Sequence, residues 1–172
     1  QYNIKFINST QILDNPHLSN NGSTYIKISN VTPYTLHLMS SKAQLGFWDE
    51  PLKERVNPYS TTEYAQLFQD VATGEQSKGS ALYIFVDQQD KPHSMNIEFY
   101  NPIDDQDECR QPGATDTCAG IDYNFVRVAN PNTTAFNTYY KCSSDGETWY
   151  TNYCPASSDL LYVRVFIAGL NE

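Results

Sequence analysis

Residues 160 to 169, LLYVRVFIAG, alternate at first and then become continuously apolar. Branched and aromatic side chains dominate the stretch, so it reads as a strand, and its apolar end places it at the centre of a sheet. A central strand needs neighbours. The chain offers YNIKFI (2–7), two strands within TYIKISNVTPYTLHLMSS (24–41), and YNFVRVA (123–129), FNTYYKC (136–142) and TWYTNY (148–153). GSALYIFVDQQDKPHSMNIEFYNP (79–102) reads as a hairpin with a polar turn at Gln88–His93. Short strands separated by Gly, Pro and Asn turns predict an all-β, antiparallel β-sandwich. At 172 residues one domain over 1–172 is the simplest division.

Two segments need separate treatment. In STTEYAQLFQDVATG (60–74), Ser60 and Glu63 fit a capping box, and Tyr64, Leu67, Phe68 and Val71 share a helical face ahead of Gly74. Local pattern therefore predicts one short helix there. AQLGFWDEPLKERVNPYS (43–60) carries Gly46, Pro51 and Pro58 and reads as an irregular surface connection. It presents Phe47 and Trp48, with Tyr59 near its end, as candidate contacts for a lipid or another ligand. The competing role for Trp48 is to plug the end of the core, where most tryptophans go.

Four cysteines, Cys109, Cys118, Cys142 and Cys154, form no C-x-x-C pair and lie far from His17, His37 and His93. That spacing disfavours zinc and predicts two local disulfides, Cys109–Cys118 and Cys142–Cys154. Sequons at Asn8, Asn21, Asn30 and Asn132 add four candidate glycosylation sites. Together these features predict a secreted, extracellular glycoprotein. A start at Gln1 without an apolar leader fits a mature product.

Composition removes several function classes. The net charge is −9, and the longest basic run is KER at 53–55. A nucleic-acid partner, which calls for a basic stripe, is not expected, and the general field opposes charge-driven binding to anionic lipid. The sequence carries no nucleophile elbow, no H-E-x-x-H, no phosphate-cradling loop and no dinucleotide fingerprint. The expectation is a protein that is not an enzyme and has no cofactor. NPIDDQDEC (101–109) concentrates Asp104, Asp105, Asp107 and Glu108, yet lacks the alternate ligands and turn glycine of a calcium loop. It reads as a solvated loop with no metal.

IKISNVTPYTLHL, LGFWDEP, VNPYS, ATGEQSKGSALYIFVD and NIEFYNP, all within 26–103, resemble the aegerolysins and related secreted fungal β-sandwich proteins. The resemblance covers under half of the chain. It implies a strand, not a helix, at 62–72, and sphingolipid binding, sometimes beside a separate pore-forming partner protein. Trp48 stands in the family's Gly-x-Trp position. The cysteine-bridged half has no counterpart there.

The functional expectation is a binding protein of the cytolysin, toxin or virulence-effector type, monomeric or weakly oligomeric, that recognises a membrane surface or a host receptor. The alternatives are a lectin-like glycan binder and an effector that binds a host protein.

Overall fold

The computed structural model describes residues 22–69, 77–101, 125–129, 135–154 and 160–169. Those residues form an all-β sandwich of two sheets, with no helix among them. The larger sheet holds β1 (Ser23–Val31), β3 (Phe47–Glu50), β5 (Ser60–Thr61), β6 (Ala65–Phe68), β10 (Phe136–Ser143), β11 (Tyr150–Thr151) and β12 (Leu160–Gly169). Its order is β11-β10-β12-β1-β6-β3, with β5 also paired to β1. The smaller sheet holds β2 (Leu36–Leu45), β4 (Arg55–Val56), β7 (Ser77–Val86), β8 (Pro92–Asn101) and β9 (Phe125–Ala129), in the order β4-β2-β7-β8-β9.

Residues 160–169 form the expected strand, flanked by β10 on one side and β1 on the other. The pairing with β1 is parallel, the one departure among the described strands from an antiparallel pattern. A parallel pair is stable where the strands are covered, and β1 and β12 meet that condition. Ile26, Ile28, Val163 and Val165 are fully buried. They close on Tyr83, Met95, Ile97 and Phe99 of the facing sheet, which are equally buried. The period of two puts the alternate side chains of β1 and β12 on the outer face.

Three expectations need correction. The helix predicted within 60–74 is replaced by β5 and β6, the strand reading that the family resemblance implied. Ala65 and Leu67 are buried against β1 while Gln66 and Phe68 face outward, so tertiary pairing overrides local propensity. The connection at 43–60 is less irregular than its prolines suggest, because it includes β3 and β4.

The third correction concerns Asn30. Its side chain is 1% exposed, and the amide nitrogen donates to the carbonyls of Tyr34 (2.7 Å), Val56 (3.2 Å) and Asn57 (3.0 Å). Its carbonyl oxygen accepts from the Thr32 N–H and hydroxyl. A nitrogen so engaged has no room for a glycan, so Asn30 is a structural knot and not a glycosylation site in the folded chain. Asn8, Asn21 and Asn132, the strand at 2–7 and the acidic loop beyond Asn101 lie outside the described residues.

The hairpin of β7 and β8 turns where expected. Asp87 caps the turn by accepting from the Gln89 and Lys91 amides, and its Oδ2 lies 2.9 Å from His93 Nε2. The His93 ring stacks on Phe85 and meets Phe136 edge-on. The hydrogen bond with His93, then the Lys91 amide, holds the Asp87 carboxyl below its ordinary pKa.

Two outcomes follow from these contacts. Asn30→Ala takes a donor from three carbonyls and the acceptor from the Thr32 N–H and hydroxyl, although the Tyr34 and Asn57 carbonyls keep the Thr32 and Ser60 hydroxyls. It is expected to lower unfolding free energy by about 2–4 kcal/mol in urea denaturation. Asn30→Asp, which cannot donate, should not restore it. A loss below about 1 kcal/mol would show that the knot is dispensable. The depressed Asp87 carboxyl stabilises the fold above its unfolded pKa, and this contribution disappears as pH falls through the lower folded value. Melting temperature should therefore drop as pH falls below about 4, and the drop should be shallower in Asp87→Asn. Parallel acid profiles for the two proteins would contradict the assignment.

Candidate functional site

The GFWDE stretch shows how the strand builds one inward and one outward aromatic. Gly46 has φ of +96°, and a Cβ there would overlap the carbonyl oxygen of Phe68. Only glycine both adopts that backbone and lets β3 approach β6 so closely. Alternation then sends Trp48 inward, opposite Leu67, and Phe47 outward, opposite Phe68. Trp48 packs edge-on against Phe99 of the facing sheet at 6.1 Å. The Phe99 ring itself occupies the space that a side chain at Gly79 would need. Trp48 thus closes the core, the competing role weighed from sequence, and its indole N–H is buried with no partner among the described residues.

Phe47 is 52% exposed and Tyr59 is 59% exposed. They do not converge. Phe68 continues the β6 register past Leu67↔Thr24, which puts Phe47 at the Ser23 end of β1. Tyr59, at φ of +53°, donates its amide to the Thr32 carbonyl at the Val31 end. Eight residue steps of β1 separate the two ends, roughly 25 Å at the usual strand rise. Phe47, Trp48 and Tyr59 therefore do not make one site.

A larger feature lies between those ends, on the outer face of the larger sheet. Tyr25 on β1 is in register with Tyr162 on β12. Their rings are 5.2 Å apart, and the Tyr64 ring, just ahead of β6, meets them at 6.3 and 5.9 Å. On the next outward row, Lys27, Arg164 and Lys141 sit side by side on β1, β12 and β10. Beyond them Tyr139 stacks on Phe166 at 4.6 Å, with the ring planes 5° apart. Burial, then the neighbouring Tyr162 and the Asp49 charge, push the Tyr25 phenol up to about 12. Burial raises Tyr64 as well. Both phenols stay neutral across physiological pH and keep their O–H donors.

These residues were missed in the sequence because they come from segments far apart in the chain. A signal was nevertheless there. Each of the three central strands carries Tyr-x-Lys/Arg at outward spacing: Tyr25 and Lys27, Tyr139 and Lys141, Tyr162 and Arg164. Elsewhere, Cys142 and Cys154 form the expected local disulfide, whereas Cys109 and Cys118 lie outside the described residues.

No family model and no curated protein matches the sequence. Among solved structures, the lipid binding protein Nakanori aligns with 92% of this chain and 77% of its own, at 6% identity and a TM-score of 0.49.

The Gly46 geometry yields a further expectation. Gly46→Ala combines an unfavourable φ with a backbone overlap, and should cost about 2 kcal/mol or more in denaturant unfolding. A neutral outcome would show that β3 is free to shift away from β6.

Proposed function

We propose that this chain is a secreted, non-enzymatic binding protein of the cytolysin or effector type, which recognises a ligand on a membrane or host surface through the outer face of its larger sheet. The observation that supports this most is the aromatic cover of that face. Tyr25, Tyr64 and Tyr162 cluster at its middle, and Phe47 stands exposed near its edge. Amphipathic rings offer apolar area together with hydrogen-bonding tips, the combination used where one side of a contact is apolar and the other wet. The disulfide between Cys142 and Cys154 suits an oxidising, extracellular setting.

A binding face of this kind needs no bound group and no moving part. Its rings are braced by one another and by the sheet beneath, so little side-chain freedom is lost on contact. The aromatic trio should therefore act as a preformed surface.

The test is co-sedimentation with vesicles of sphingolipid, sterol or neutral phospholipid, run beside a glycan array. Wild type is expected to bind at least one class. Tyr64→Ala combined with Tyr162→Ala should weaken that binding at least tenfold, a typical loss for removing central aromatic anchors. Indifference of the wild type to every vesicle and glycan would overturn the proposal.

A further inference from the structure

We infer that the outer face of the larger sheet binds an acidic oligosaccharide, with its sulfate or carboxylate groups seated on the Lys27–Arg164–Lys141 row and its sugar rings against the flanking tyrosines. The inference rests on the reading of this face as a recognition surface and specifies what that surface takes.

The row is set by register. Arg164 is opposite Lys27 on one side and opposite Lys141 on the other. Adjacent strands are about 4.8 Å apart, so the three cations span roughly 10 Å of nearly flat surface. The chain holds 20 Asp and Glu against 11 Lys and Arg, yet β1, β10 and β12 contain no carboxylate at all. Among the described residues the one ion pair is Asp87 with His93, so no described carboxylate pairs with any of the three cations.

The described partners of these cations are instead rings and hydroxyls. Lys27 Nζ lies 4.4 Å from the centroid of the Tyr64 ring. Arg164 and Lys141 lie over Phe166, at 4.8 and 5.9 Å. Arg164 Nε donates to the Ser29 hydroxyl at 2.8 Å. These contacts hold the side chains in place without neutralising them. Three like charges on adjacent strands repel one another, and an incoming anion relieves that repulsion.

Charge and shape select the ligand class. At a net charge of −9, the field away from the surface repels extended polyanions such as a duplex or an anionic bilayer. Screening limits that repulsion to about 8 Å at physiological salt, so a small anion in direct contact senses the local cations first. A bare inorganic anion would leave the aromatics unused. A sugar ring uses both, stacking an apolar face on tyrosine while its hydroxyls reach the phenolic O–H groups. Asp49, whose charge reaches Tyr25, lies on β3, beyond β6 from the row. It bounds the acidic ligand on that flank.

The experiment titrates the full chain with oligosaccharides of one backbone in sulfated, carboxylated and neutral forms, and with neutral and phosphatidylserine vesicles. The acidic forms are expected to bind at least tenfold tighter than the neutral parent, an advantage mostly lost in high salt. Lys27→Gln with Lys141→Gln should abolish that advantage, so that acidic and neutral forms bind the double variant within about twofold of each other, and its near-wild-type circular-dichroism spectrum would show that the sheet is intact. Equal binding of acidic and neutral forms, or full acidic affinity in the double variant, overturns the inference but leaves the binding face standing. Binding to phosphatidylserine vesicles without binding to acidic sugars overturns the choice of ligand in favour of a membrane. No binding to any of these probes overturns the inference, and the binding face falls with it only when the sphingolipid and sterol vesicles and the glycan array are unbound as well.

Discussion

Nine residues of β1 run in parallel register with nine of β12, and the remaining features of the larger sheet depend on that pairing. It joins strands from opposite ends of the described chain, 137 residues apart at the Ser23↔Leu160 pair, by the difference of the two positions. It places Ile26, Ile28, Val163 and Val165 inward together. It also places Tyr25 beside Tyr162 and Lys27 beside Arg164 on the other face. A slip of one residue would exchange the faces, burying the cations and exposing the aliphatics, so core packing enforces the outer arrangement. The recognition surface proposed here is thus a by-product of a hydrophobic register, held with the precision of the core.

The same logic separates the chain's charge. Strands β1, β10 and β12 carry cations buttressed by rings and no carboxylate, whereas several carboxylates sit in turns. Asp87 and Asp145 are examples, each capping a turn by accepting backbone amides. Both are held below the ordinary carboxyl pKa; for Asp145 the cause is chiefly the Thr148 and Glu147 amides. An acidic protein can in this way keep a locally basic face, because screening prevents distant carboxylates from cancelling it.

How much of this could be read beforehand follows from the range of each interaction. Residues 160–169 and the 79–102 hairpin were legible because alternation and turn chemistry are local, and the structure places both as read. Segment 60–74 misled for the same reason. Its spacing suits a helix, but Ala65 and Leu67 gain more by pairing with β1. Asn30 was misread because a sequon says nothing of three carbonyls gathered from positions 34, 56 and 57. Trp48 carried two readings, and its approach to Phe99 supports the core role. The cation row forms no basic run along the chain. Its members stand at positions 27, 141 and 164, and only the order β10-β12-β1 brings them together.

The central claim is the register that aligns those three strands. Backbone nuclear Overhauser contacts across β1, β12 and β10 measure it directly in isotope-labelled protein. Cross-strand contacts that pair Lys27 with Arg164 in parallel geometry and Arg164 with Lys141 in antiparallel geometry are expected. Contacts that instead pair Lys27 with Val163 or Val165 would shift the register by one residue, break the cation row and contradict the account.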